Sequence, residues 1–291
     1  MKKRAFIFVI LAGVLWGTSG IFVHFLAPMG FSSVQMSAMR SGVSALTLVI
    51  FAVLRDRSLF RVSPSEILLF LLSGAALFGT GSAYYASLQL TSIPTAVVLM
   101  YMAPVYVTLW SVIFFGERMN AKKAVSITLI LAGGALVSGI AGGVAFHPTG
   151  IFLGFLSGVC YGTYNIVTKI LAKRGVAPLR SALFTFIFTA VIAICACSPA
   201  DLAGKTAAEP LAAIPLIISI GLVTFVAPYI FYTYAMTELD ASTTASLGIV
   251  EPMSATLFGV VLYGDKLDIF SWIGVVMIIF AVFMLGRAET K

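Results

Sequence analysis

Glu251 stands in the middle of a long apolar block, in the run Gly248-Ile249-Val250-Glu251-Pro252. An ionisable side chain among apolar neighbours costs several kcal/mol unless it meets a partner or a wet cavity. A carboxylate in that position can hold a cationic group or exchange a proton with solvent. It can also tie two helices together through a permanent partner, and the functional reading is the one adopted here. Pro252 follows directly, and a proline inside a helix removes one backbone donor and crowds the carbonyl one turn earlier. The segment around Glu251 is therefore expected to kink beside a cavity, and Pro104 predicts a matching kink in the first half of the chain.

Arg40 is the second charge inside an apolar block, about a third of the way into its stretch. A guanidinium stays charged, so it needs a carboxylate, carbonyls or a wet pocket. It could receive a substrate carboxylate, but a structural role is the reading preferred from sequence. His24 lies near the outer end of the first block, where it is read as a side chain reaching toward the interface. An aromatic set falls inside the blocks rather than only at their ends: Trp16, Tyr84, Tyr85, Tyr101, Tyr161, Tyr164, Tyr229 and Tyr232, together with Asn165. Aromatic rings at helix ends usually mark the interfacial belt. Trp16, Tyr101, Tyr161 and Tyr232 lie too deep for that and are expected to line a cavity that takes groups by stacking and cation–π contact.

Other chemistry finds little support. Gly17-Thr18-Ser19-Gly20 imitates the nucleophile motif of an intramembrane serine protease, yet a serine nucleophile needs a general base within reach. The two histidines are His24, five residues along the same helix, and His147 in a polar gap. Neither is placed to serve, so no enzyme activity is expected. Two histidines and three scattered cysteines, Cys160, Cys195 and Cys197, predict neither a metal site nor a disulfide framework. No G-x-x-x-x-G-K-[ST] motif signals nucleotide hydrolysis, and no cofactor is expected.

The elements that carry these residues follow from composition. Of 291 residues, 60% are hydrophobic and 10% charged, too little polar surface to cover a soluble globule of this length. Apolar blocks of about twenty residues match the span of a helix across a hydrocarbon core about 30 Å thick. They lie near 5–26, 33–54, 66–88, 94–115, 121–141, 149–171, 178–198, 211–236, 242–263 and 269–287. Turn and breaker residues such as Pro28, Ser63-Pro64, Gly116, His147-Pro148, Gly175, Pro199 and Gly264 fill the gaps. The first block follows Lys2-Lys3-Arg4 and is too long for the core of a signal peptide, so it is read as a span.

A net charge of +7 would suggest a polyanion partner in a soluble protein. Here the basic residues sit between the blocks, so no nucleic-acid partner is expected. With the N-terminus cytoplasmic, that side collects Lys2, Lys3, Arg4, Arg55, Arg57, Arg61, Arg118, Lys122, Lys123, Lys169, Lys173, Arg174, Arg180, Arg287 and Lys291, against Lys205 and Lys266 outside. Fifteen against two predicts both termini in the cytoplasm of a multi-pass protein of the bacterial inner membrane.

The halves repeat. A shift of about 145 to 148 positions lays Gly13 on Gly158, Trp16-Gly17 on Tyr161-Gly162, Tyr84 on Tyr232, Pro104 on Pro252 and Gly116-Glu117 on Gly264-Asp265. Five spans per half force the second copy to enter the membrane from the opposite side. The expected architecture is an all-α membrane protein of ten transmembrane helices in two inverted five-helix repeats, 1–144 and 145–291. Gly13-xxx-Gly17 and Gly154-xxx-Gly158-xxx-Gly162 place small residues on one face of the first and sixth spans, and close helix approach explains them.

In Leu15-Trp16-Gly17, Arg40, Tyr85-Ala86, Tyr234-Ala235, Ala103-Pro104 with Gly116-Glu117-Arg118, and Glu251-Pro252 with Gly264-Asp265, the chain resembles the drug/metabolite transporter superfamily in its ten-helix EamA-type branch. Asp265 stands where that family usually has Glu. The resemblance implies two five-helix repeats around a central cavity and export of amino acids or other metabolites. The expected function is a secondary active transporter working by alternating access, plausibly as a monomer, on a small-molecule substrate with proton coupling available through Glu251. Organic-cation or multidrug export is the alternative, and a channel the more distant one. The expected substrate site comprises Trp16, Tyr84, Tyr101, Tyr161, Asn165, Tyr232 and Glu251. Arg40, Pro104, Pro252, Gly17 and Gly162 are expected to be structural or hinge residues.

Overall fold

The computed structural model describes residues 2–91, 93–137, 147–263 and 268–289, and within them every regular element is helical. The helices are α1 (Lys2–Gly17), α2 (Ser19–Leu26), α3 (Ser33–Arg55), α4 (Pro64–Leu90), α5 (Ile93–Met100), α6 (Ala103–Phe115), α7 (Ala121–Val137), α8 (Pro148–Lys173), α9 (Pro178–Ala196), α10 (Pro199–Ala208), α11 (Pro210–Gly221), α12 (Ala227–Glu238), α13 (Ala241–Leu247), α14 (Val250–Phe258) and α15 (Ile269–Glu289). A single 3₁₀ turn, Arg57–Phe60, precedes α4, and π-helical turns cover Leu222–Val226 and Gly259–Tyr263.

Local chemistry sets the helix ends. Ser32 and Gln35 cap the start of α3 reciprocally: Ser32 N donates to Gln35 Oε1 at 2.9 Å and Gln35 N to Ser32 Oγ at 3.2 Å. Prolines open α4, α8, α9, α10 and α11 within the first turn, where no intrahelical donor is lost. Gly116 closes α6 at φ 63°, a left-handed conformation that L side chains resist.

Among the described residues, eight stretches are long and apolar enough to cross a membrane: 2–26, 33–55, 64–87, 98–115, 148–173, 178–196, 210–238 and 241–262. The expected fifth and tenth spans correspond to α7, with 17 described residues and two lysines in its first turn, and to α15, apolar over Ile269–Met284. These two pack along each other with Gly133 and Gly274 at the contact. A Cβ on Gly274 would stand 2.6 Å from the Gly133 carbonyl oxygen. Gly264, Asp265 and Lys266, and the expected repeat boundary at 144–145, lie outside the described residues.

The bundle reverses the polarity of a soluble fold. Leu54, Leu68, Ile113, Phe152, Val261 and Val276 face outward, whereas Ser41, Ser44, Ser73, Ser87, Ser157, Thr189 and Ser246 are buried. In lipid there is no hydrophobic drive between helices, so small side chains that allow close approach and bond across the gap hold them together. Ser44 Oγ donates to Gly221 O at 3.1 Å, Ser87 Oγ to Gly150 O at 2.8 Å, and Thr189 Oγ1 to Gly74 O at 3.2 Å.

Helix packing pairs the two halves of the chain. In the first half α4 lies on α8, and in the second α12 lies on α1. Likewise α5 and α6 lie on α8 while α14 lies on α1, and α3 packs on α9, α6 on α13, and α7 on α15. The glycine stripes mark these contacts. A Cβ on Gly13 would fall 2.7 Å from Val250 Cβ, and one on Gly17 would fall 2.7 Å from Ser254 Cβ. On α8, Gly158 is pressed to the Leu99 carbonyl in the same manner, at 2.8 Å, and Gly162 faces Trp110 at 3.2 Å.

Candidate functional site

Both expected kinks are breaks. α5 and α6 are divided at Tyr101–Met102, ahead of Pro104, and α13 and α14 at Gly248–Ile249, ahead of Pro252. Each proline lacks the N–H that would bond four residues back, so the chain tightens to three-residue bonds. Val105 N bonds Met102 O at 2.9 Å in one span, and Glu251 N bonds Gly248 O at 3.0 Å in the other. The first span divides too, at Thr18, whose hydroxyl takes the Leu15 carbonyl at 2.6 Å. Its counterpart α8 runs unbroken through Tyr161.

These breaks surround a cavity of about 710 Å³, counting its open mouth. The first and second spans supply Trp16, Ser19 and Arg40, and α4 supplies Leu77, Thr80, Gly81, Tyr84 and Tyr85. Met100 and Tyr101 come from the break between α5 and α6, Tyr161 from α8, Phe225 from the π-helical turn before α12, Tyr229 from α12, and Glu251 from the first turn of α14. The walls are ring against ring. Trp16 meets Tyr229 edge-on with centroids 5.0 Å apart, Phe225 lies 4.9 Å from Tyr229, and Tyr84 lies 5.5 Å from Tyr85. The Arg40 guanidinium sits 4.5 Å above the Phe225 ring.

Of the expected substrate residues, Trp16, Tyr84, Tyr101, Tyr161 and Glu251 share this lining. Asn165 and Tyr232 do not: both are fully buried behind the wall, where Tyr232 Oη donates to Asn165 Oδ1 and Asn165 Nδ2 donates to Tyr161 O at 2.7 Å. Pro104 and Pro252 stand at the two breaks, and Gly17 and Gly162 at helix contacts. Arg40, expected as a structural residue, lines the cavity. Leu77, Thr80, Gly81, Met100 and Phe225 were not singled out from sequence, and Ser19 was weighed only as a nucleophile. Thr80 lies four residues from Tyr84 on α4, a spacing that could have marked it. His24 is in the last turn of α2 with its ring edge-on to Phe25 at 5.4 Å, and it does not line the cavity. Cys160, Cys195 and Cys197 are free thiols, and among the described residues no three His, Cys, Asp or Glu side chains gather to hold a metal ion.

A second hollow lined by Ser32, Ser33, Val34, Ser37, Gly81, Ser82, Tyr85 and Ala86 shares Gly81 and Tyr85 with the cavity and leads to the end of the bundle where α3 begins. The opposite end is filled by α13, every residue of which is buried. Two buried lysines hold it there, both expected in the polar gaps. Lys123 Nζ reaches Asp240 Oδ2 at 2.8 Å and Glu117 Oε2 at 3.4 Å. Glu117 also accepts from Ala241 N at 2.9 Å and Ser242 Oγ at 2.5 Å, and Lys169 Nζ donates to Met236 O at 2.9 Å and to Leu239 O. The end so closed is the one rich in lysine and arginine.

Comparison with known proteins places this architecture. The EamA-like transporter family matches the chain twice, over residues 3–139 and 148–287. An uncharacterized transporter of Archaeoglobus fulgidus is 30% identical over 96% of this chain and 95% of its own length. The uncharacterized transporter YwfM of Bacillus subtilis is 24% identical over 98% and 94%. A probable terminal-alkyne amino-acid exporter of Streptantibioticus cattleyicolor is 30% identical over 55% of this chain and 53% of its own. A protein of known crystal structure superposes over the whole of both chains with a TM-score of 0.80 at 20% identity, a likeness of fold alone. The chain is a multi-pass membrane protein and belongs to the EamA-like transporter family.

Proposed function

We propose that this transporter is a secondary active carrier that exports small metabolites such as amino acids across the cytoplasmic membrane by alternating access. The observation that carries the reading is a cavity, walled by aromatic rings and holding Arg40 and Glu251, that adjoins a hollow at one end of the bundle while buried α13 fills the other end. A carrier needs a site that faces one side at a time, whereas a channel needs a continuous path.

Ten spans in two inverted repeats, 1–144 and 145–291, are the topology we infer. It is supported by helix contacts that map onto themselves when the halves are exchanged, and by a family pattern that matches once in each half. Inverted copies of one bundle can trade conformations, which turns the site from one face to the other. The lysine- and arginine-rich end, with both termini, is then cytoplasmic, and the open mouth faces outward. Export of an amino acid is supported by the relative from Streptantibioticus cattleyicolor. Organic-cation export is the weaker reading, because Arg40 would repel such a substrate from within the site.

Purified protein in liposomes, tested with amino acids, amines and cationic dyes at two pH values, checks this. Saturable uptake with counterflow is expected, reduced at least tenfold in Glu251→Gln. Conductance of many ions per opening would replace the carrier with a channel, and an unchanged rate and pH dependence in Glu251→Gln would remove the carboxylate from coupling.

A further inference from the structure

We propose that Arg40 is the receptor for a carboxylate on the substrate, and that the cavity takes zwitterions of the α-amino-acid type, with the ammonium at Glu251 and the apolar side chain among the rings. The inference rests on reading the cavity as the transport site and adds which charges the passenger must carry.

Two buried lysines and the half-buried Arg40 allow the comparison that carries it. Lys123 has Asp240 and Glu117, and Lys169 has the carbonyls of Met236 and Leu239. Both are satisfied within the protein, as a cation that ties helices together must be. Among the described residues Arg40 has no such partner: it forms no ion pair, its Nε is buried without a hydrogen bond, and its contact is the face of Phe225. One cation–π contact answers only part of what a guanidinium loses when it leaves water. A planar fork of donors left open on a cavity wall suits a carboxylate, which it can bind through two parallel hydrogen bonds. The neighbour on α4 is small: a Cβ on Gly81 would already be in van der Waals contact, 3.5 Å from an Arg40 terminal nitrogen.

Glu251 lines the same cavity and does not pair with Arg40. Two opposite charges held apart in a low-dielectric pocket favour a ligand with the reverse arrangement and penalise one that carries a single charge. An amine alone would leave Arg40 unanswered, and an acid alone would meet the Glu251 carboxylate. The pseudo-symmetry sharpens the assignment. The position matching Glu251 in the first half is Ala103, and those matching Arg40 in the second fall among Thr185 to Phe188, so neither charge is repeated. Each half contributes one charge, and a bound zwitterion joins the halves.

Binding and counterflow in liposomes with L-phenylalanine, L-leucine and L-threonine, each beside its amide and its decarboxylated amine, test the proposal. Wild-type protein should prefer at least one amino acid over its amide and its amine by thirtyfold or more. Arg40→Gln should lose that preference to within threefold, and Arg40→Lys should restore part of it. The wild-type comparison stands without any variant, should Arg40→Gln fail to fold. Counterflow of amines or dyes in preference to amino acids would overturn the proposal while leaving the carrier reading intact, as would an Arg40→Gln protein that still prefers the acid. Absence of counterflow for every compound, with ion currents in its place, would overturn both.

Discussion

Tyr232 and Asn165 hold each other where no solvent reaches, and their position follows from where each side chain finds its hydrogen bonds. Asn165 lies one helical turn beyond Tyr161, on the face expected to line the cavity, but its amide turns back to the Tyr161 carbonyl. Its remaining acceptor takes the tyrosine hydroxyl. Tyr232→Phe removes that donor and leaves a buried carbonyl oxygen unmet, which should lower stability by about 1–3 kcal/mol. Unfolding in detergent measures this, with substrate affinity expected to change less than threefold. Unaltered stability with a tenfold loss of affinity would instead put Tyr232 in contact with the substrate. At this scale the sequence marks Glu251 because a carboxyl in an apolar run is costly wherever its helix packs. It marks Arg40 for the same reason, but the partners that separate a tie from a receptor come from other helices: Lys123 and Arg40 look alike as basic side chains until Asp240 and Glu117 are found beside one and an aromatic face beside the other.

Among the elements, the breaks and glycine stripes do the positioning. The prolines at 104 and 252 reveal two breaks in the sequence itself, since the missing N–H acts within one turn. The break at Thr18 has no such sign, because a threonine hydroxyl bonds a backbone carbonyl in straight helices as well as bent ones. The surface helix α10 falls where the sequence suggests a gap. Ten residues make a marginal helix alone, and this one is held by Ser198 at its start and by Gln35 Nε2 bonded to Asp201 at 2.7 Å. Lys205, ahead of Gln35, keeps the Asp201 carboxyl below the usual range. Glycines separate by what faces them. Gly158→Ala must push a Cβ against the Leu99 carbonyl at 2.8 Å and should cost about 1–3 kcal/mol, whereas Gly20→Ala meets nothing within 4 Å. The second change should be neutral or stabilise by up to about 1 kcal/mol. Equal effects of the two in thermal unfolding would show that α8 is not seated on the fourth span as described.

As a whole molecule, the protein's helix contacts run between corresponding elements of the two chain halves, α4 on α8 and α12 on α1, whereas its cavity charges and its closed end have no such correspondence. The all-helical membrane character is legible in the sequence, because apolar blocks of spanning length follow from composition alone. The sealed end is not, since it joins Glu117 and Lys123 to Asp240, Ala241 and Ser242, more than a hundred residues away. Removing one partner of a buried ion pair costs about 3–5 kcal/mol, enough to invert a conformational equilibrium in which tenfold corresponds to about 1.4 kcal/mol. Lys123→Ala should therefore release α13 and favour the state open at the lysine-rich face. The decisive measurement is labelling by a membrane-impermeant maleimide in a background lacking Cys160, Cys195 and Cys197, with Ser82→Cys reporting the open hollow and Ser246→Cys the sealed end. Alternating access predicts that Lys123→Ala raises labelling at position 246 at least tenfold from the lysine-rich face and lowers it at position 82. Labelling that rises at 246 while staying unchanged at 82 would mean that the two ends open independently, and would contradict the account.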